Sequence, residues 1–211
     1  MSLYTIKSLT FSYPKSDTIF ENMNLSFDKN QRIGLTGPNG CGKTTLAKLM
    51  LGIIKPQKGK IYLEDENIKN MSLSFIGRKI GFIFQNPEKQ LFAPTVWEQM
   101  IFGGKKVNDK ADYYLELFGL TNYKDELPFN LSFGQKQRLA IASVLSRDVI
   151  FVILDEPSTG LDIAHLKKLE LCLRTLTEED RGYMIISHDN KFLLNNVDKL
   201  LSFKDKGVEF L

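Results

Sequence analysis

The residues that most constrain the fold are the eight at positions 37–44, which read Gly-Pro-Asn-Gly-Cys-Gly-Lys-Thr. They match the pattern G-x-x-x-x-G-K-[ST] in full. The apolar run at residues 33–36 leads into them, and residues 43–51 follow with apolar side chains spaced as on one face of a helix. The sequence therefore predicts a buried strand, a glycine-rich loop and a helix in direct succession, which is the local context that this pattern requires.

This loop has the chemistry of a phosphate-binding site. Its glycines let successive backbone N–H groups, that of Cys41 included, turn toward one point, and the helix that follows adds its positive end there. We expect the Lys43 ammonium to reach the β- and γ-phosphates of a nucleotide and the Thr44 hydroxyl to bind Mg²⁺. The alternative is a glycine turn that holds no ligand.

Further apolar runs extend this unit to an α/β fold. Residues 79–84, 149–154 and 183–187 read as buried strands, and residues 163–175 form a helical pattern between the last two. Right-handed β-α-β crossovers in a mainly parallel sheet are the economical topology for this order of elements.

The remaining segments predict two smaller parts. Residues 3–11 and 24–27 alternate apolar and polar side chains, as half-exposed antiparallel strands do, and predict an N-terminal β-subdomain. Residues 86–146 are mostly helical in pattern, with periodic apolar positions at 107–119 and 139–145, and predict an inserted helical subdomain.

An acidic pair follows the strand predicted at residues 149–154. A carboxylate at the carboxyl end of a parallel strand lies in the ligand crevice, beside the glycine loop. We therefore expect Asp155 to hold Mg²⁺, directly or through water, and Glu156 to act as the general base toward an attacking water. The alternative is that both acids only end the strand and cap the next helix.

The segment Leu-Ser-Phe-Gly-Gln at residues 131–135 precedes a helical pattern and resembles the signature of ATP-binding cassette (ABC) ATPases. Other marks of that family follow the same order along the chain. They are Tyr13 as the adenine-stacking aromatic, Gln85 after a predicted strand, residues 158–162 as the D-loop, and His188 as the switch histidine. Each match is weak alone, but arranged around a complete phosphate loop they are specific. The resemblance covers essentially the whole chain.

The resemblance implies an ATPase that uses ATP and Mg²⁺ and that works as a head-to-tail pair of such domains. The signature of each domain would contact the ATP held by the phosphate loop of the other, through Ser132 and the backbone N–H of Gly134. Gln85 would sense Mg²⁺ and the attacking water, and His188 would stabilise the γ-phosphate. The implied nucleotide-binding residues are Tyr13, Gly37, Pro38, Asn39, Gly40, Cys41, Gly42, Lys43, Thr44, Thr45, Ser132, Gly134, Gln135 and Asp162. The implied catalytic residues are Glu156, His188 and Gln85, and the implied metal ligands are Thr44, Gln85 and Asp155.

One position departs from the family pattern, because Phe133 stands where the first glycine of the signature is usual. A requirement for positive φ, or for a close approach of phosphate, would make Phe133 costly. Since Gly134 is retained, we expect a functional signature. The alternatives are a degenerate site that hydrolyses ATP slowly, and a Phe133 side chain that simply packs at the subdomain surface.

Residues 84–96 suggest a branch of the family. Their sequence, Phe-Gln-Asn-Pro-Glu-Lys-Gln-Leu-Phe-Ala-Pro-Thr-Val, resembles the Q-loop region of ATPases from energy-coupling factor (ECF) and cobalt- or nickel-type importers. That resemblance implies an integral-membrane transmembrane partner, which docks beside this loop, and a separate substrate-capture protein for a vitamin or metal ion. The apolar residues Leu91, Phe92, Val96 and Trp97 are consistent with a docking surface, but residues at this helical spacing are more often core.

Other functions stay open from the sequence alone. They are the ATPase of another ABC transporter, a soluble ABC ATPase, and a nucleotide-binding regulator. A soluble ABC protein usually needs two cassettes, a coiled coil or basic arms, and a regulator requires the loss of a catalytic residue. The second ATPase domain of the pair can be the same chain or a different one.

Composition limits the remaining possibilities. The 211 residues carry a net charge of +3 with 43% hydrophobic and 25% charged residues, which argues against disorder and against a strongly basic nucleic-acid binder. Cys41 and Cys172 are too few for a disulfide framework, and the apolar runs are too short to cross a bilayer. We expect one domain over residues 1–211, peripheral on the cytoplasmic face of the cell membrane, with Cys172 in the core and His165 solvated on a Lys-rich helix face.

The domain is expected to consist of a nucleotide-binding core at residues 1–85 and 147–211 and the helical subdomain at residues 86–146. Neither a repeat nor a Pro/Ser-rich linker separates them.

Overall fold

The computed structural model describes residues 2–102 and 108–211. The beginning of the helix predicted at residues 107–119 lies outside the described residues, and the helix observed there spans Asn108–Leu117. The strands are β1 (Ser2–Ser12), β2 (Thr18–Asp28), β3 (Arg32–Thr36), β4 (Lys58–Leu63), β5 (Glu66–Asn67), β6 (Ile80–Ile83), β7 (Phe151–Asp155), β8 (Gly182–Ile186), β9 (Lys199–Lys204) and β10 (Gly207–Phe210). The helices are α1 (Lys43–Met50), α2 (Leu73–Lys79), α3 (Val96–Ile101), α4 (Asn108–Leu117), α5 (Phe133–Leu145), α6 (Ile163–Glu178) and α7 (Asn190–Asn196).

The larger sheet has the order β10-β9-β3-β8-β7-β6. Its strands pair in parallel, except that β10 runs antiparallel to β9. The strands β7 and β8 are buried along their whole length, as expected for parallel strands covered on both faces. The predicted α/β fold with a mainly parallel sheet is therefore confirmed.

The smaller sheet has the order β2-β1-β4-β5 and is antiparallel throughout. Its first two strands are those predicted from the alternating N-terminal segments. Strands β4 and β5 and helix α2 were not predicted. In β4 the first three residues, Lys58, Gly59 and Lys60, are exposed, so the apolar alternation that marks a half-buried strand is confined to its second half.

Two clusters of apolar side chains fill the space on either side of the larger sheet. Phe151 and Ile153 of β7 point into the cluster that the smaller sheet and α1 complete. Val152 and Leu154 point the opposite way, into a cluster with the helices α3 to α7. The alternation follows from the period of two in a strand, and it places the sheet between a β layer and a helical layer.

The order of the strands brings three loops to one edge of the larger sheet. Because β3, β8 and β7 are parallel neighbours, their carboxyl ends lie side by side. The loops that leave these ends are residues 37–42 after β3, Ser187 and His188 after β8, and Glu156 after β7. A ligand crevice is expected at this edge in an open parallel sheet.

Within the described residues, no helix has both the length and the apolar character needed to cross a membrane.

Candidate functional site

The glycine loop, residues 37–42, connects the end of β3 to the start of α1. Two of its glycines have backbone conformations that favour glycine, with φ of 79° at Gly40 and 116° at Gly42. A Cβ on Gly42 would lie 2.3 Å from Cγ2 of Ile19, so the loop also passes too close to the N-terminal strands for a side chain. Glycine is required here both for φ and for space.

Lys43 is the first residue of α1 and is almost fully buried, with 8% of its surface exposed. Its ammonium donates hydrogen bonds to the carbonyl oxygens of Gly37, at 2.8 Å, and Pro38, at 3.0 Å. The charged group is thus held inside the curve of the loop by neutral acceptors. It is available to an anion that enters the loop.

Thr44 and Asp155 meet between α1 and β7. The Thr44 hydroxyl donates to Oδ2 of Asp155 at 2.6 Å. Asp155 is only 2% exposed, and burial raises the pKa of its carboxyl; the hydrogen bond from Thr44 opposes that shift, and the neighbouring charge of Glu156 adds to it. The site therefore holds a hydroxyl oxygen and a carboxylate in contact at one point.

Glu156 follows Asp155 with a φ of 49°, an uncommon conformation for a residue other than glycine. Its N–H donates to the carbonyl of Ile186 at 2.8 Å, which fixes the turn at the end of β7 to β8. Its Oε2 lies 2.9 Å from Nδ1 of His188 and accepts a hydrogen bond from the Ser187 hydroxyl at 3.3 Å. The strained turn thus directs a buried carboxylate toward the exposed imidazole of His188.

These side chains line one cleft of ≈1030 Å³. Tyr13 and Gln85 also lie on its wall, Tyr13 half-buried and Gln85 exposed. The Tyr13 hydroxyl is 3.4 Å from Oγ1 of Thr45, and its ring meets Phe11 edge to face. The predicted residues that the structure brings together in the cleft are Tyr13, Pro38, Asn39, Gly40, Cys41, Gly42, Lys43, Thr44, Thr45, Gln85, Asp155, Glu156 and His188.

Two segments of the cleft wall were not predicted. Residues 16–19, at and before the start of β2, contribute one of them, and residues 203–206, at the turn between β9 and β10, contribute the other. The turn reaches the cleft because β9 pairs in parallel with β3, which leads into the glycine loop. The sequence predicts strands at residues 199–203 and 207–210, but the pairing that places the turn between them is a long-range contact with no local signal.

The residues of the signature and the D-loop lie elsewhere. Among the described residues, Ser132, Gly134, Gln135 and Asp162 do not line the cleft of their own chain. Ser132 caps α5: its hydroxyl oxygen accepts from the N–H of Gln135, and the Gln135 side chain accepts from the N–H of Ser132. This capping box fixes the first turn of α5 at the surface.

Phe133 takes a regular helical position as the first residue of α5, so this site requires no positive φ. Its side chain is 48% exposed and lies against Gly160 of the D-loop. Phe133 therefore packs at the protein surface, as one of the alternatives above holds, and the segment that it packs against is the D-loop.

The expectation that His165 is solvated is wrong. Its side chain is 18% exposed and contacts Asp162 on one side and Arg138 on the other. The helical pattern of α6 gave the correct face of the helix, but the neighbouring α5 covers part of that face. Cys172 is buried as expected.

The segment at residues 84–96 divides between core and surface. Leu91 and Val96 are buried, Trp97 is half-buried under Lys124, and Phe92 is 58% exposed. Phe92 packs edge to face on the exposed Phe102, at 4.6 Å between ring centres. Both line a groove of ≈330 Å³, and the exposed side chains of Leu73 and Ile53 line the same groove.

A parallel α/β sheet, a glycine loop between β3 and α1, and an acidic pair at the end of β7 define a P-loop nucleotide hydrolase. The comparison with known families narrows this class. The ABC transporter family matches residues 20–159, and the chain belongs to that family. It is the ATPase subunit of a transporter, and it binds and hydrolyses ATP.

Individual relatives agree with this assignment. The chain is 36% identical, over 97% of its length and 81% of the relative, to an ABC transporter ATP-binding protein of Pyrococcus furiosus. It is 35% identical, over 87% of its length and 62% of the relative, to the energy-coupling factor transporter ATP-binding protein EcfA of Methanothermobacter thermautotrophicus. A dimeric ATP-binding cassette in a post-hydrolysis state with ADP and phosphate superimposes with a TM-score of 0.85 and 26% identity, over 98% of this chain and 96% of that one.

Proposed function

We propose that this chain is the ATP-hydrolysing subunit of an ECF- or cobalt-type importer, which drives the uptake of a vitamin or metal ion through membrane partners. The observation that carries the proposal is the segment at residues 84–96, which supplies one wall of an exposed apolar groove next to Gln85. The similarity to EcfA supports the same branch.

ATP binding begins at the glycine loop in this proposal. Phosphate oxygens accept hydrogen bonds from the loop N–H groups and replace the carbonyls of Gly37 and Pro38 as partners of Lys43. The exchange is favourable because a phosphate carries a full negative charge and a carbonyl carries only a partial one. Tyr13 stacks on the adenine at the other end of the cleft.

In the proposed hydrolysis of ATP, Glu156 acts as the general base, and His188 and Gln85 assist it. As water attacks the γ-phosphorus, the bond from this phosphorus to the bridging oxygen breaks, ADP leaves, and Glu156 takes a proton from the water. The His188 ring lies 2.9 Å from Oε2 of Glu156 through its Nδ1, and we propose that it also contacts the γ-phosphate. Gln85 orients the water.

Thr44, Asp155 and Gln85 are the residues that we propose for Mg²⁺, which when bound neutralises charge on the β- and γ-phosphates. The contact between Thr44 and Asp155 fits this ion, because it places two oxygen ligands together and Mg²⁺ prefers oxygen. Few protein ligands are needed, since phosphates and waters complete the shell of Mg²⁺.

The signature is proposed to work across a pair of domains. Ser132, Gly134 and Gln135, with Asp162 of the D-loop, would meet the ATP held by a second ATPase domain, either the same chain or a different one. The dimeric cassette with ADP and phosphate supports a paired arrangement.

We also propose that residues 86–146 act as a helical subdomain on a core of residues 1–85 and 147–211.

The groove is proposed to receive a helix of the transmembrane partner. Phe92, Phe102 and Leu73 are each more than half exposed and line the same groove. An exposed apolar surface of this kind marks an interaction site. Docking there would hold the chain on the cytoplasmic face of the membrane.

The ATPase assignment of individual residues is tested by two substitutions and a control. Lys43→Ala should abolish tight ATP binding, whereas Lys55→Ala, an exposed lysine away from the cleft, should leave it unchanged. Glu156→Gln should keep ATP binding and lower turnover by about 10²- to 10⁴-fold, because the base is lost. Retained affinity in Lys43→Ala, or full turnover in Glu156→Gln, would contradict the assigned roles.

The importer assignment is tested by purification from detergent-solubilised membranes of the native cell, with mass spectrometry of the co-purifying proteins. We expect a multi-spanning membrane protein together with a small membrane-embedded capture protein. Phe92→Ser should lose both, while Leu194→Ser, a control at an exposed leucine outside the groove, should keep them. Recovery with ribosomal or DNA-bound partners alone would refute the importer proposal and leave the ATPase.

A further inference from the structure

The first turn of α5 lies directly on the D-loop of the same chain. A Cβ built on Gly134 would be 3.0 Å from the carbonyl oxygen of Gly160. A Cβ on Gly160 would be 2.6 Å from Cε1 of Phe133, so the phenyl ring covers this glycine without a gap. The signature and the D-loop are therefore in van der Waals contact, and neither can shift toward the other.

A chain of polar contacts runs beside this packing. Asp162 caps α6 and accepts from the backbone N–H of His165 at 2.8 Å, and Nδ1 of the His165 ring lies 2.8 Å from the same carboxylate. On the other side of the ring, Nε2 lies 2.9 Å from Nη1 of Arg138. Arg138 in turn donates to the carbonyls of Gly134, at 3.3 Å, and Phe118, at 2.6 Å.

The partners fix the role of each ring nitrogen. Hydrogen bonds from the backbone and side chain of His165 lower the pKa of Asp162, so its carboxylate is an acceptor and Nδ1 carries a proton. Arg138 is always a donor, so Nε2 must offer its lone pair. A neutral imidazole with its proton on Nδ1 satisfies both neighbours at once.

We infer that His165 is a positioning residue that connects the signature helix to the D-loop. Contact of the signature with a nucleotide would then affect the hydrolysis site of the same chain. The path is short, because the D-loop begins two residues after Glu156. This inference rests on the proposed function, in which the signature contacts ATP held by a second domain. It predicts that the two ATP sites of a pair are coupled through the bridge between Arg138, His165 and Asp162.

Two substitutions separate the two ends of the bridge. In His165→Gln the amide oxygen can occupy the position of Nε2 and accept from Arg138. In His165→Asn the amide nitrogen can occupy the position of Nδ1 and donate to Asp162, but nothing reaches Arg138. Both keep the backbone bond that caps α6, so a loss confined to the Asn variant reports the contact with Arg138.

The first experiment needs no nucleotide: hydrogen–deuterium exchange of the whole chain, followed in peptides that cover residues 132–140 and 157–166. Loss of the contact with Arg138 should speed exchange of both peptides by roughly tenfold in His165→Asn, with His165→Gln close to wild type. Faster exchange at residues 157–166 alone would make His165 a local helix cap and overturn the inference. Equal exchange in both variants would overturn it as well.

The second experiment measures ATP turnover against ATP concentration. We expect His165→Asn to lose the cooperativity of turnover and His165→Gln to keep it, with ATP affinity of the single domain unchanged in both. Equal cooperativity in all three proteins would overturn the inference. If the wild type hydrolyses ATP without cooperativity, the proposed contact of the signature with a second domain fails, whereas the exchange measurement still decides whether the bridge exists.

Discussion

Thr44→Val should destabilise the protein through the loss of one hydrogen bond. The Thr44 hydroxyl donates at 2.6 Å to Asp155, a carboxyl that is 2% exposed. Valine keeps the branched shape of threonine but has no donor. Asp155 would keep its burial and lose a partner that favours its ionised form.

The size of the effect follows from the charge of the acceptor. Hydrogen bonds to charged groups contribute about 1.5–3 kcal/mol, so the free energy of unfolding at pH 8 should fall by about 2 kcal/mol in Thr44→Val. Thr44→Ser keeps the hydroxyl and loses one methyl group, so the free energy of unfolding should fall by less than about 1 kcal/mol. In an Asp155→Asn background the acceptor is neutral, and the loss from Thr44→Val should shrink by about half.

The pH dependence has a definite sign. Burial raises the pKa of Asp155 in the folded state above its ordinary value of 3.8, so the folded protein binds the proton more tightly than the unfolded chain. The destabilisation from this carboxyl is therefore absent at pH values below 3.8 and grows as pH rises through the folded pKa. Thr44→Val raises that pKa further, so its deficit should be largest at neutral pH and decrease toward pH 4.

Urea unfolding in metal-free buffer at pH 8 and pH 5 measures these differences for Thr44→Val, Thr44→Ser and the two Asp155→Asn combinations. A Thr44→Val protein as stable as Thr44→Ser at pH 8 would refute the reasoning. So would a deficit that grows on acidification.

Three further predictions concern the cleft and the signature. Phe133→Gly should leave ATP turnover within about threefold of wild type if Gly134 supplies the backbone contact, as proposed; a gain above about tenfold in a steady-state assay would mark the present signature as degenerate. Gly42→Ala should lower the free energy of unfolding by about 2–4 kcal/mol, from its φ and from the overlap with Ile19, and Ile19→Ala in the same chain should recover the overlap part in urea titrations. Tyr13→Ala should weaken ATP binding by about 1–3 kcal/mol, measured with a fluorescent ATP analogue, whereas Tyr13→Phe should bind as the wild type does if stacking carries the contact.

The parts of the fold that the sequence predicts are those with a strong local signal. Strand β7 is apolar at every position before Asp155, which marks a strand buried on both faces, and the glycine loop fixes the succession of β3 and α1. The predicted strand at residues 149–154 begins two residues too early, because Val149 belongs to a turn in which its N–H donates to Arg147. Element boundaries depend on such turns more than on hydrophobicity.

The parts that the sequence does not predict depend on packing between distant segments. The role of His165 is set by α5, whose Arg138 lies 27 residues away in the chain. The turn at residues 203–206 lines the cleft only because β9 pairs with β3. Neither the helix around His165 nor the turn at residues 203–206 contains a motif. The hydrophobic pattern alone therefore predicts a surface position for both.

The charged side chains of the cleft differ in how firmly they are already bound. Two of its acids have specific partners: Asp155 accepts from Thr44, and Glu156 contacts His188 and Ser187. Lys43 is held by two neutral carbonyls, and an incoming phosphate can replace these at little expense in solvation, since the ammonium is already buried. The same cleft can therefore accept an anion at the loop while Glu156, the proposed base, stays fixed. Because Ser132 and Gly134 lie outside the cleft of their own chain, completion of the proposed site is left to a second domain.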